Sequence, residues 1–261
     1  MTMLEIHPIP AFDDNYIWLL TEPPGRNAVV VDPGDAAPVF DTLAAAGLTL
    51  TAVLVTHHHG DHVGGLGELA RTFPELAIIG PVDPRLRALT RPVGEGDTIS
   101  LPGLTSRFTA WEVPGHTATH IAFVGEGVLF CGDTLFAAGC GRVFDGTFEQ
   151  LSASLRRLAT LDPATRCYCA HEYTMANLGF AQWVEPENPA VLQRLRETEA
   201  SRTAGRPTVP SNLAMELVTN PFLRTGESQV IAAAERHVGH TLKGHAEVFT
   251  ALRRWKDTEY D

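Results

Sequence analysis

The chain has 261 residues, 44% apolar and 20% charged. This ordinary soluble composition excludes a disordered or fibrous chain and is long enough for one large α/β domain or a domain with a helical companion. A formal net charge of −11 repels polyanions, so nucleic acid and acidic membrane surfaces are poor partners and a small molecule is the expected one.

No apolar run reaches the roughly 18 residues of a membrane helix, and the opening MTMLEIHPIPAFDDN has neither the basic start nor the apolar core of an export signal. The four cysteines, Cys131, Cys140, Cys167 and Cys169, are too few and too clustered to staple a secreted scaffold. The expectation is a cytoplasmic monomer with reduced thiols.

Short apolar runs with Gly/Pro punctuation predict strands at Tyr16–Leu20, Ala28–Val31, Ala52–Val55, Ala77–Ile79, Phe108–Val113, Ile121–Val124 and Val128–Phe130. Helical spacing predicts helices at Ala36–Ala46, Gly65–Phe73 and Phe148–Leu161. From about Tyr173 the strand pattern stops. Helices are expected at Met175–Val184, Pro189–Ala204, Gln229–His237 and Ala246–Tyr260, with a loop around GRPTVPS. Strands interleaved with helices make a layered α/β core, and the tail is helical.

The most informative segment is TAVLVTHHHGDHVGG, where a β-branched run ends and His57, His59, Asp61 and His62 follow as HxHxDH. Side chains at a strand's C-terminal edge point into a crevice, the usual place for chemistry in α/β sheets. Three more candidates each follow an apolar run: His116 in WEVPGHTATH, Asp133 in VLFCGDT and His171 in RCYCAHEYT. Seven N/O ligands are too many for one tetrahedral zinc, and two divalent ions fit the count. His57, His59 and His116 would hold the first, Asp61, His62 and His171 the second, and Asp133 would bridge them. Zinc, iron and manganese all accept such a set, zinc being the first expectation. Asp32 in VVVDPGD reads as a support for ligand-bearing loops, as do His58, His120 and Glu172.

HxHxDH followed by a lone His, Asp and His at strand ends resembles the ligand signature of the metallo-β-lactamase superfamily. CGDTLFAAGCGR, AHEYTMANLGFA, VPSNLAMELVTNPFLR and the closing LRRWKD resemble, in order and over essentially the whole chain, the hydroxyacylglutathione hydrolases, also called glyoxalase II. The resemblance implies an αββα sandwich over residues 1–172, a smaller C-terminal α-helical domain over 173–261 that binds glutathione, and the same ligand assignments. It also implies hydrolysis of S-D-lactoylglutathione to D-lactate and glutathione, the second step of methylglyoxal detoxification.

In that chemistry a metal-bridging hydroxide is the nucleophile, with Asp61 and Asp133 as the catalytic carboxylates, and a thiolate leaving group of pKa about 8.5 departs without a strong acid. No cysteine nucleophile is needed, and neither Cys131 nor Cys140 sits in a nucleophile elbow. By the resemblance, Arg142, Tyr173, Arg253 and Lys256 bind the peptide part of the substrate. Phe144 stands where family members often carry Tyr, so a hydroxyl contact is missing there. On charge pattern alone RRWKD would read as a solvated helix face. A persulfide dioxygenase, a ribonuclease and a β-lactamase on the same scaffold are disfavoured by the helical tail, the acidic charge and the all-N/O ligand set respectively.

Overall fold

The computed structural model describes residues 3–260, and the chain divides into two compact units. The first comprises Met1–Glu112 and Thr119–Gly132, the second Val113–Ala118 and Asp133–Asp261.

The first unit carries a six-stranded sheet in simple sequential order: β1 (Glu5–Ala11), β2 (Asn15–Thr21), β3 (Asn27–Val31), β4 (Thr49–Leu54), β5 (Ala77–Pro81) and β6 (Arg91–Val93). The first three are antiparallel, and β3 to β6 run parallel, with α1 (Ala37–Ala46) in the β3–β4 connection and α2 (Gly60–Val63) and α3 (Leu66–Thr72) in the β4–β5 connection. Ile17, Leu19, Val30, Val53 and Ile78 pack with Val39 and Leu43 of α1 and Leu66 and Leu69 of α3. The alternate residues Trp18, Leu20, Val29, Val31, Leu54 and Ile79 are also buried. Burial on both faces explains why these strands read as continuous apolar runs. An antiparallel meander follows, β7 (Thr98–Ser100), β8 (Arg107–Glu112), β9 (Ile121–Gly125) and β10 (Val128–Gly132).

The second unit opens with a short hairpin, β11 (Leu135–Phe136) and β12 (Gly139–Cys140), then α4 (Phe148–Leu158). The start of α4 is set by a reciprocal capping box between Thr147 and Gln150. After β13 (Arg166–Cys169) come α5 (Thr174–Val184), α6 (Pro189–Thr203), β14 (Ser211–Asn212), α7 (Leu213–Thr219), α8 (Ser228–Val238) and α9 (Gly244–Trp255), ending in a π-helical turn over Lys256–Tyr260. Asn188 caps α6 with Pro189 in its first turn, both favourable at a helix start.

Several elements differ from the pattern-based expectation, which does not name the short β6, β7, β11, β12 and α2 at all. β1 escapes period-2 reading because Pro8 and Pro10 interrupt it, and prolines are tolerated there because the strand is an edge paired to β2 alone. The strand pattern does not stop at Tyr173: Ser211 and Asn212 form β14 against Arg166 and Cys167. α7, which has only seven residues, lies in what reads as loop; Asn212 caps it by accepting from Met215 N at 2.8 Å. The last helix ends at Trp255 and becomes a π turn, whose wider winding the 3.6-residue period cannot anticipate. α4 stops three residues early, at Leu158.

Candidate metal centre

In the first unit, four of the seven candidate ligands follow β4. Asp32 sits at the end of β3 with φ +52°, buried, and its Oδ1 accepts from Thr56 N at 2.7 Å. Oδ2 accepts from the Thr56 hydroxyl at 2.6 Å and from His62 Nδ1 at 3.1 Å. Because the Thr56 hydroxyl donates to Asp32, it is an acceptor toward His57 Nδ1, 3.1 Å away. Both rings therefore carry their proton on Nδ1 and present the Nε2 lone pair, the arrangement by which outer partners fix a ligating imidazole.

His57 Nε2 lies 3.1 Å from His59 Nδ1. His62 Nε2 lies 3.4 Å from Asp61 Oδ2, which also accepts from Asn15 Nδ2 at 3.0 Å. Two ligands about 2.0–2.1 Å from one tetrahedral ion stand roughly 3.4 Å apart, so these spacings suit a metal better than a hydrogen-bonded pair of rings. Asp32, His57 and His62 also offer ligand atoms within 4.8 Å of one another. Asp32 already accepts three hydrogen bonds, so its part is to hold the other two.

His120 is fully buried and stacks on His57 at 4.6 Å and 19°, where it supports the His57 ring. His58 Nδ1 faces Asp83 at 3.6 Å. Gly132, at φ +47°, closes β10; a Cβ there would come within 2.3 Å of Thr56 Oγ1 and 2.8 Å of His120 Nε2. Only glycine fits both that backbone and that approach.

The other three candidates belong to the second unit. His116 Nδ1 donates to Arg142 O at 2.8 Å, which again leaves the ring's lone pair on Nε2, 3.5 Å from Asp133 Oδ2. His171 Nε2 lies 3.4 Å from the other oxygen, Asp133 Oδ1. Each oxygen of one carboxylate thus faces a different histidine. Tyr173 stacks on His171 at 4.7 Å and 7°, and Phe136 meets both rings edge-on. Glu172 accepts from Thr208 N at 2.9 Å and from the Thr208 hydroxyl, with Arg202 at 3.4 Å.

The donor set is imidazole and carboxylate throughout. All four cysteines are buried and unpaired with one another. Burial pushes the Cys140 thiol up to about 11 and the Cys169 thiol to about 12, and raises Cys167 still further. Protonated thiols are poor nucleophiles and poor ligands.

The metallo-β-lactamase superfamily model matches residues 11–171, and the model described as hydroxyacylglutathione hydrolase C-terminus matches residues 172–259. A hydroxyacylglutathione hydrolase of Alkalilimnicola ehrlichii is 55% identical over 98% of this chain and 99% of its own. The chain belongs to the hydroxyacylglutathione hydrolase family. It is therefore a hydrolase built on a metallo-β-lactamase domain followed by that family's helical C-terminal region. Among solved structures, ETHE1 from Myxococcus xanthus shares the fold with a TM-score of 0.64 at 23% identity, covering 97% of each chain. The di-iron-bound form of TTHA1623 aligns with a TM-score of 0.59 at 26% identity, over 83% of this chain and 100% of its own.

Membership directs attention to the five substrate-binding candidates, all in the second unit. The Phe144 side chain is exposed and meets His116 edge-on at 5.2 Å. Tyr173 is half-exposed beside His171, and the Arg142 side chain is 55% exposed. Arg253 and Lys256 do not lie on a solvated face: they are 1% and 5% exposed, whereas Arg254 between them is exposed. Arg253 donates through Nη1 to Cys140 O at 3.0 Å and through Nε and Nη2 to Asp257 Oδ1 at 3.1 and 2.9 Å, and its guanidinium lies 5.2 Å from the Phe222 ring centroid. Lys256 Nζ sits 5.6 Å from the Tyr260 ring.

Pattern reading missed Asn15, Asp257 and Glu216. Asn15 announces itself only as a polar residue opening a fully buried strand. Asp257 stands four after Arg253, the spacing of a helical ion pair. Glu216, fully buried, accepts from Arg194 Nη2 at 2.6 Å, from Ala138 N at 2.8 Å and from Asn220 Nδ2 at 3.1 Å. Asn220 also donates to Phe136 O and Gly139 O. The NLAMELVTN stretch is thus a cradle for the hairpin between Asp133 and Arg142.

Proposed function

We propose that the chain converts S-D-lactoylglutathione and water to D-lactate and glutathione at a centre of two divalent ions. His57, His59 and His116 hold one, Asp61, His62 and His171 the other, and Asp133 is shared. Zinc is the first choice for both; the di-iron form of TTHA1623 supports iron as an alternative occupant. The carrying observation is Asp133, whose Oδ2 and Oδ1 face His116 and His171 at 3.5 and 3.4 Å, as a bridging carboxylate would.

When bound, such ions lower the pKa of water to about 7 and polarise a carbonyl oxygen. The protein's own groups do the rest. Asp32 and Thr56 keep the His57 and His62 protons on Nδ1, and Arg142 O does the same for His116. Asn15 holds one carboxylate oxygen of Asp61. Water adds to the thioester carbonyl, the C–S bond breaks, and the sulfur leaves as a thiolate of pKa about 8.5 that needs no strong acid beside it. Arg142, Tyr173 and Phe144 receive the peptide, with residues 173–261 forming the glutathione-binding domain. No described helix is long and apolar enough to cross a membrane, and a cytoplasmic monomer without nucleic-acid or membrane partners accords with the acidic charge.

The test is hydrolysis of S-D-lactoylglutathione followed at the thioester absorbance, with metal content measured on the same sample. Turnover with about two ions per chain is expected. A metal-replete protein holding two ions that cleaves a short thioester but ignores the glutathione thioester would overturn the substrate reading; one ion with full turnover would overturn the binuclear one.

A further inference from the structure

Arg253 is a cation without a surface. Its Nη1 is spent on Cys140 O, and its Nε and Nη2 both go to Asp257 Oδ1. A guanidinium offers five N–H groups in a fixed fork, and its Nε–Nη2 edge, one of those suited to a carboxylate, is already filled by one from the protein itself. The same Asp257 oxygen lies 3.7 Å from Arg142 Nε, and Arg142 is the cation of this group with more than half its side chain in solvent. Arg253 also grips the backbone two residues before Arg142, through Cys140 O. Arg253, Asp257 and Arg142 form a chain of alternating charge that leads from the buried end of α9 to an exposed guanidinium.

We infer that Asp257 is a positioning residue for substrate recognition: Arg253 fixes Asp257, Asp257 aims Arg142, and Arg142 makes the contact with a carboxylate of the glutathione moiety. This rests on the glutathione reading above and assigns its buried arginine a role that does not require it to touch substrate.

A field argument and the positioning argument predict opposite signs. Asp257→Asn removes a negative charge beside a site for an anionic substrate, so electrostatics alone would lower KM. Loss of an aimed guanidinium raises it, by about tenfold for one charge-assisted hydrogen bond. The experiment measures kcat, KM and metal content for wild type, Asp257→Asn, Asp257→Glu, Arg142→Ala and the Asp257→Asn/Arg142→Ala double variant. The substrates are S-D-lactoylglutathione and S-lactoyl-N-acetylcysteamine, which has no carboxylates on its thiol part.

Expected are a raised KM on the glutathione thioester in Asp257→Asn with kcat and metal content held, partial recovery in Asp257→Glu, no change on the short thioester, and a double variant no worse than Arg142→Ala alone. A lowered KM, multiplicative losses in the double variant, or equal losses on both thioesters would overturn the inference. A wild type that does not distinguish the two substrates would instead overturn the glutathione reading, and this inference with it.

Discussion

At the scale of single residues, the outer contacts say which substitutions should matter. Asp133→Ala removes both oxygens that face His116 and His171, and elemental analysis should find at least one ion lost, with turnover down by more than a hundredfold. An Asp133→Ala protein retaining two ions and full activity would rule out the shared carboxylate. The cysteines should behave oppositely. With Cys140 and Cys169 held near 11 and 12 by burial, native protein at pH 8 should resist alkylation while unfolded protein takes up four labels, and Cys140→Ala should keep its turnover. Asp83 supplies a pH prediction. Hydrogen bonds from Arg85 first, then from Thr119 and Arg85 N, hold its carboxyl well below the usual range against the opposing effect of burial. A carboxyl depressed on folding stabilises above its unfolded pKa and loses that contribution as pH falls through and below it. Asp83→Asn should therefore melt lower than wild type near pH 7, with the gap narrowing from about pH 4 downward as Asp83 of the unfolded wild-type chain protonates while the folded one stays ionised; a constant gap would assign the loss to packing.

At the scale of elements, the α9-to-π transition carries Arg253 and Lys256, two of the five peptide-binding candidates, and is pinned by an unusually close approach. A Cβ on Gly179 of α5 would lie 1.9 Å from Tyr260 Oη, and the Tyr260 ring packs on Phe180 and Trp183 at 5.6 and 4.8 Å. Gly179→Ala should cost about 1–3 kcal/mol by overpacking, lowering Tm by roughly 2–4 °C per kcal/mol in a chain of this size. Adding Tyr260→Phe removes the clashing oxygen and should recover most of the loss. If it does not, the strain lies elsewhere in α5. The same element shows where pattern reading reaches its limit. The spacing of Arg253 and Lys256 is visible in sequence, and so is their positive charge. That the first is buried against Cys140 and Asp257 depends on a hairpin more than a hundred residues earlier, which no local period reports. By contrast β2 to β5, β8 to β10 and α5, α6 and α8 were legible within one or two residues at most boundaries, since burial writes a pattern into each of them. The turns that carry the candidate ligands stood out because imidazole and carboxylate at strand ends have few other uses. Asn15 was not, because a single buried amide looks like any polar residue beginning a strand.

At the scale of the whole molecule, metal and fold should be linked. A ligand present at about 100 times its Kd stabilises the folded state by roughly 2.7 kcal/mol, so chelation should lower Tm by about 5–10 °C and zinc should restore it; a chelator-insensitive Tm, with removal of the ions verified, would separate the metal centre from stability. The division of the chain has a different implication, for synthesis on the ribosome. The first unit is complete only when Gly132 has been made, yet the stretch 113–118 inside it belongs to the second unit. Three of its anchors come later: Arg142 O for His116, Asp145 for Ala118 N, Ser154 for Pro114 O. A nascent chain therefore passes through a stage in which the first unit is whole but a six-residue loop carrying one candidate ligand hangs without these three supports. A fragment comprising residues 1–132 should be cut by protease within 113–118, and the full chain should be resistant there.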